Sequence, residues 1–232
     1  MENKKDYIIV KLPSNGKCYP INSALRSGNV KVSYLTAKDE NIFYSHKLRL
    51  ENKICITLLE KKVLGDFDVS QFCSGDKEAI ILNILKENYG NIYNFSNTDK
   101  VFDLNGIKYK DLNLECDDNG YFTYSDKDKI IYKLLPFQEE EEIIKIGTNA
   151  MFNYEKTSAE ELYIRFVKSV LPKMVISIND ETNKDIIQNW FDNADYEKLN
   201  KFQNYVTENS PGLDLKTTSG IVFDDTIFYN IR

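Results

Sequence analysis

The sequence predicts an α+β fold: a helical N-terminal lobe that starts from a short strand, a small antiparallel sheet in the middle, and a helical C-terminal lobe that ends in a hairpin. Two observations predict it. Apolar residues recur at helical spacing in several segments, and strand-like runs separated by Asn-Gly turns lie between residues 101 and 135. Hydrophobic residues make up 42% of the 232 residues, so the chain can bury a core without a metal or disulfides.

The first elements are predicted to be two strands and a helix. YIIVKL at residues 7–12 is an apolar run that ends at Pro13, and VKVSYL at 30–35 alternates apolar and polar side chains. Thr36 then fits a helix N-cap, and this helix should continue to about Ser45. Two acidic residues in its first turn favour the positive end of the helix dipole, namely Asp39 and Glu40.

Two longer helices are expected next. Residues 51–64 carry a helical stripe formed by Ile54, Leu58, Leu59 and Val63. The second helix has Ser74 as its predicted N-cap and Gly90 as the residue that ends it in the left-handed conformation. Residues 94–100 are the weakest join, so we expect one lobe at 1–96 and another at 97–232, with a single domain as the alternative.

The second half is predicted as a sheet followed by helices. Four short runs, at 101–104, 107–114, 121–125 and 129–135, are expected to form one small antiparallel sheet. A helix should begin after Pro136, with four glutamates at 139–142 in its first turn. The remaining expectations begin with a helix capped by Ser158 and Glu161 and stopped by Pro172, and a buried strand or tight extended link at 174–178. Helices at 185–191 and 194–207 and a terminal hairpin at 212–232 should follow.

Composition argues against several functional classes. A net charge of −6 and a pI near 5.1 do not suit binding to nucleic acid, which needs a basic face. No apolar run approaches the roughly 18 residues of a membrane span, and no signal-peptide core is visible, so we expect synthesis in the cytosol. His46 is the only histidine, and the four cysteines are isolated in sequence, so neither a metal nor another cofactor is expected.

No catalytic residues are expected either. A nucleophile with a histidine base is hard to assemble around one histidine, and no glycine loop for phosphate is present. Predicted helix starts and turns explain the acidic groups Asp39/Glu40, Asp117/Asp118, Glu139 to Glu142 and Asp224/Asp225. A small metal-dependent hydrolase built on these groups is kept as an alternative, which would be excluded if no divalent ion raised the melting temperature.

Three separated segments follow one another in a characteristic order. The first is the turn LPSNGKCYP, with Pro-Ser-x-Gly-x-x-Tyr at Pro13, Ser14, Gly16 and Tyr19. The second is a helical pair that carries Thr-x-x-Asp-Glu, Gly-Asp and Tyr-Gly-x-x-Tyr, at Thr36, Asp39, Glu40, Gly75, Asp76, Tyr89, Gly90 and Tyr93. The third, from Ser177 to Leu213, contains SIND and ENSPGLD with Pro211 and Gly212. In these segments the chain resembles the baseplate hub and hub-assembly proteins of T-even-type contractile-tailed bacteriophages.

The resemblance implies a non-enzymatic structural protein of the central hub of a contractile tail baseplate. It would act by protein–protein interaction with other tail and baseplate proteins, and it would reside in the virion after assembly in the bacterial host cytoplasm. An assembly chaperone absent from the mature virion is the alternative, and self-association stays open. Some relatives carry cysteine pairs that look zinc-binding, which are missing here, so the resemblance carries no metal site over.

Two roles are open for the matched residues. Backbone geometry and helix capping suggest that they specify the fold, which is the preferred interpretation for Thr36, Asp39, Glu40, Gly75, Asp76, Tyr89, Gly90, Tyr93, Pro211 and Gly212. The functional hypothesis concerns the turn at 13–20. It is expected to be exposed and to bind a neighbouring subunit through Pro13, Ser14, Gly16 and Tyr19, with Tyr19 as an amphipathic anchor.

Overall fold

The computed structural model describes residues 6–94, 101–143, 169–214 and 227, and these residues form an α+β fold of helices and small antiparallel sheets, as predicted. The chain divides into two units, and neither is continuous in sequence. Unit 1 comprises Met1–Gly16, Asn22–Leu112 and Pro211–Arg232, and unit 2 comprises Lys17–Ile21 and Asn113–Ser210. The boundary expected after residue 96 therefore falls within a segment of unit 1.

Unit 1 begins with a three-stranded antiparallel sheet of β1 (Tyr7–Lys11), β2 (Asn29–Ser33) and β3 (Val63–Leu64), in that order. The alternating sequence puts valines on one buried face, where Val10 lies opposite Val30. Both predicted strands are confirmed. The third was not foreseen, because Val63 continues the apolar stripe of the preceding helix by sequence but leaves the helical conformation.

Four helices of unit 1 are α1 (Glu40–Phe43), α2 (His46–Glu51), α3 (Ile54–Lys62) and α4 (Ser74–Tyr89). The predicted apolar faces of the two longer helices are buried, at Ile54, Leu58, Leu59, Ile80, Ile81, Ile84 and Leu85. The helix predicted to reach Ser45 stops at Phe43, because the Ser45 hydroxyl caps α2 by accepting from the Leu48 N–H. The N-cap of α4 is Cys73, one residue before the predicted Ser74.

Two short ribbons complete the described part of unit 1. They are β4 (Ile92–Asn94) with β5 (Val101–Asp103), and β6 (Tyr109–Lys110) with β10 (Gly212–Leu213). The four runs predicted between 101 and 135 therefore do contribute strands, but only the last two share a sheet. This corrects the expectation of a single sheet. The first two runs pair instead with residues before and far after them, because a 3-10 turn at Leu104–Gly106 separates them.

Unit 2 contains a three-stranded antiparallel sheet of β7 (Phe122–Ser125), β8 (Lys129–Tyr132) and β9 (Val175–Ile178). Its described helical residues are 137–143, called α5, and 169–174, called α6, followed by α7 (Lys184–Asn193) and α8 (Tyr196–Asn209). The strand predicted at 174–178 and the two helices after it are confirmed. Large aromatic side chains fill the core, among them Phe122, Tyr132, Phe191 and Phe202.

Some expectations differ or lie outside the described residues. Helical conformation continues past Pro172 to residue 174, and β9 begins at Val175. The proline therefore does not stop the helix. The predicted cap at Ser158 and Glu161 and nearly all of the terminal hairpin lie outside the described residues. None of the described helices combines the length and apolar character needed to cross a membrane.

Candidate functional site

A buried carboxylate links the turn after β1 to the first turn of α4. Asp76 Oδ1 accepts a hydrogen bond from the Ser14 N–H at 2.9 Å, and Oδ2 accepts one from the Ser14 hydroxyl at 2.6 Å. The Ser14 hydroxyl oxygen also accepts from the Gly16 N–H at 3.1 Å. Both Ser14 and Asp76 are 0% exposed. Two hydrogen bonds from Ser14 to one buried side chain hold the turn on the start of α4.

The neighbouring Gly75 allows the chain to approach α4 closely. A Cβ atom at Gly75 would lie 2.1 Å from the Pro211 carbonyl oxygen and 2.6 Å from the Gly212 Cα. No side chain fits in that space, so Gly75 is required by backbone packing against β10. Gly16 is constrained in a similar way, since it has φ +76° and its Cβ would lie 2.4 Å from the Arg26 carbonyl oxygen.

The turn at 13–20 is not the exposed surface that the sequence suggested. Pro13, Ser14 and Gly16 are buried, and Tyr19 is only 4% exposed. The Pro13 carbonyl accepts a hydrogen bond from the Leu112 N–H at 2.8 Å, which adds a second anchor beside the carboxylate of α4. The expected exposure of these residues is therefore wrong, because turn residues define backbone conformation and leave burial undetermined; binding of the turn to a neighbouring subunit stays a prediction.

A second cluster surrounds Asp39. Its Oδ2 atom accepts hydrogen bonds from the Thr36 N–H at 2.7 Å, from the Thr36 hydroxyl at 2.9 Å and from Lys62 Nζ at 2.8 Å. Thr36 therefore does not cap the helix as predicted. The side chain of Asp39 reaches back to Thr36 instead, and α1 begins at Glu40. The hydrogen bond from the Thr36 N–H to Asp39 is the reverse half of a capping box. The hydrogen bond from Lys62 to the same carboxylate joins this turn to the end of α3.

The Asp39–Lys62 ion pair is almost completely buried, with side-chain exposures of 9% and 7%. Burial raises the pKa of the Asp39 carboxyl, but the hydrogen bonds from Lys62 and Thr36 outweigh it and hold the pKa below its usual range. Asp39 is therefore ionised at neutral pH. Removing either partner would leave the other charge buried without compensation.

The C-terminal end of α4 lies beside the Thr36 turn, because the Leu35 N–H donates to Asn88 Oδ1 at 2.9 Å. Burial raises the pKa of Tyr89 to about 12, with Glu40, Tyr44 and Asp39 contributing further. Gly90 then ends α4 with φ +86° and ψ −176°, so its φ is positive but it does not adopt the predicted left-handed conformation.

We call the exposed residues around this end the α4-end surface, defined as Glu40, Tyr44, Tyr89, Ile92 and Asp103. Tyr44 is 69% exposed, Ile92 56% and Tyr89 38%. Ile92 lies directly opposite Asp103 in the β4–β5 ribbon. Tyr93 pairs through its backbone with Phe102 in the same ribbon.

Among the acidic groups considered for catalysis, Glu139 to Glu142 lie in α5 and the Asp117/Asp118 pair lies at a turn, as expected. Asp117 Oδ1 accepts from the N–H groups of Asn119 and Tyr121, which closes a turn. Asp224 and Asp225 lie outside the described residues. His46 is exposed at the first position of α2.

Two residues of these clusters were missed from the sequence. Lys62 and Asn88 stand near helix ends, where polar side chains are usually solvated. The available signal was spacing, because Lys62 follows the buried Leu58 by four residues and Asn88 follows the buried Ile84 by four. Each therefore continues an apolar stripe of its helix.

Several of the matched residues that belong to unit 1 form two groups. Ser14 and Gly16 meet Gly75, Asp76, Pro211 and Gly212 around the start of α4, and Thr36, Asp39 and Glu40 lie near Tyr89 at its end. Comparison of the chain with protein-family models, with curated proteins and with solved structures finds no match in any of the three.

Proposed function

We propose that this protein is a structural subunit of the central hub of a contractile-tailed phage baseplate, where it acts through protein–protein contacts. The basis is the resemblance of three separated segments, in order and spacing, to the baseplate hub and hub-assembly proteins. An assembly factor that leaves the mature particle is the alternative.

The observation that supports the proposal is that residues from all three segments meet at α4. Ser14 of the first segment binds Asp76 of the second, and Gly75 of the second packs on Pro211 of the third. Their convergence suggests that the matched pattern is the signature of one packed structure.

The exposed apolar side chains of unit 1 agree with a role in assembly. Tyr44, which follows α1, is 69% exposed, and Leu50 of α2 is 71% exposed. Ile9 of β1 is 58% exposed. Single exposed apolar residues are ordinary, but aromatic side chains beside aliphatic ones are typical of protein interfaces.

The experiment that tests the proposal is quantitative mass spectrometry of purified mature particles beside the infected-cell lysate. The chain would be counted against a tail-tube protein of the same particle. A fixed, small copy number per particle is expected. Abundance in the lysate with absence from the particle would instead identify an assembly chaperone, and absence from any phage infection would overturn the proposal.

A further inference from the structure

We propose that the α4-end surface binds a segment of another protein in which a lysine or arginine stands beside an aliphatic side chain. This inference deepens the proposed function, and it rests on the protein acting through protein–protein contacts. It goes further by assigning the contact to five residues and by stating the chemistry of the partner.

The geometry supplies an apolar surface with acidic residues on two sides. Tyr89 ends α4, and Ile92 follows three residues later at the start of the β4–β5 ribbon. Glu40 begins α1 and Tyr44 follows its last turn. The hydrogen bond from the Leu35 N–H to Asn88 ties the Thr36 turn, and with it α1, to this end of α4.

The carboxylates of this surface are available to a partner. Within the described part of the chain, neither Glu40 nor Asp103 has an ion-pair partner, and Asp103 uses one oxygen to accept from the Asn105 N–H. Several other exposed carboxylates do have a cation, as in the pairs of Asp111, Glu115, Glu51, Asp180 and Glu197. Burial is the main cause of the raised pKa of Tyr89, and the smaller contributions of Glu40, Tyr44 and Asp39 agree with nearby negative charge.

Charge complementarity therefore selects the occupant. A guanidinium or ammonium group can lie on the face of Tyr44 or Tyr89 and approach the Glu40 carboxylate, which combines a cation–π contact with an ion pair. An aliphatic neighbour in the same segment would cover Ile92, whose side chain is 56% exposed. An acidic segment would meet like charges at Glu40 and Asp103, which disfavours its binding.

The test uses nuclear magnetic resonance of the isotope-labelled full chain with two short capped peptides. One peptide alternates leucine and arginine, and the matched peptide alternates leucine and glutamate. We expect the arginine peptide to shift amide signals at residues 40–44, 89–92 and 101–103, and the glutamate peptide to leave them unchanged. The variant E40K should lower the affinity for the arginine peptide by about tenfold.

The matched control is E208K, which makes the same change of charge at an exposed position in the last turn of α8 in unit 2. It should bind the arginine peptide like the native chain, and both variants should keep the native melting temperature. An equal loss in E208K, shifts with the glutamate peptide, or shifts confined to other residues would overturn the proposal. Self-association that E40K abolishes in sedimentation equilibrium would also overturn it, because the occupant would then be a second copy.

The two proposals can fail separately. If the peptide does not bind but the chain has a fixed copy number in particles, the surface assignment is wrong and the hub proposal stands. If the peptide binds as expected and the chain is absent from particles and infected cells, the hub proposal is wrong and the surface stands.

Discussion

Replacing Gly75 by alanine should destabilise the protein, although alanine is the better helix former. The added Cβ would lie 2.1 Å from the Pro211 carbonyl oxygen, whereas ordinary contact begins at 3.4 Å. The obstructing atoms belong to the backbone, so no side-chain rotation relieves the overlap. The substitution therefore forces α4 and β10 apart by about 1.3 Å, or it bends one of them.

The size of the effect follows from opposing contributions. Replacing glycine by alanine within a helix stabilises the helix by at most about 1 kcal/mol. Overpacking costs about 1–3 kcal/mol, and displacing β10 also weakens its pairing with β6 and exposes Leu213, whose burial stabilises by about 1.5–3 kcal/mol. We expect the free energy of unfolding to fall by about 2–4 kcal/mol, which corresponds to a fall in melting temperature of roughly 5–15 °C.

Urea denaturation followed by circular dichroism measures this change. The matched control is G106A, because a Cβ at Gly106 meets no atom within 4 Å, and its unfolding free energy should stay within about 0.5 kcal/mol of native. An equal or higher stability of G75A would refute the close approach of β10 to α4, since helix propensity alone would then account for the result.

Further substitutions test the clusters around α4. Asp76→Asn should lower the unfolding free energy by about 1–3 kcal/mol, because the amide nitrogen cannot accept from Ser14; in a double-mutant cycle Ser14→Ala should then cost little more, and full additivity would contradict the contact. Asp39→Asn should cost about 3–5 kcal/mol by leaving Lys62 buried and unpaired, and adding Lys62→Met should recover much of it in denaturant titrations; no recovery would contradict the ion pair. Because the folded pKa of Asp39 lies below its usual 3.8, its contribution is present above about pH 4 and is lost as the pH falls through the folded pKa, so the double variant should lose less stability in acid than the native chain. Tyr89 has its pKa raised from 10.0 to about 12, so its contribution is present below pH 10 and is lost as the pH rises through 12; Tyr89→Phe should show a flatter alkaline melting profile, and an unchanged profile would contradict the shift.

The parts of the fold set by local pattern could be predicted from the sequence. The buried faces of α3 and α4 follow the 3.6-residue period, and β1 and β2 follow alternation and turn residues. The pairing of β6 with β10 could not be predicted, because two-residue strands carry no periodic signal and their partners are distant in sequence. Val63 shows the same limit at one residue, since its apolar side chain suits both a helix stripe and a strand.

Only some features of the candidate site could be predicted from the sequence. Positive φ at Gly16 and Gly90 was predictable from glycine's conformational range. The partner of Asp76 was not, because Ser14 is 62 residues away and a carboxylate in a first helical turn needs no partner to be explained. Tyr19 was expected at the surface and is buried, since an amphipathic side chain fits either place.

The interrupted course of unit 1 along the chain sets an order for its synthesis. The strands of the first sheet, the Ser14–Asp76 contact and the Asp39–Lys62 pair all lie within residues 6–94, so a ribosome completes them early. The residues that pack on Gly75 begin at Pro211, and at about 5–20 residues per second they follow roughly 7–27 s later. For that interval the start of α4 is open on one side in the nascent chain. A gene fragment that ends before residue 211 would keep that side open permanently.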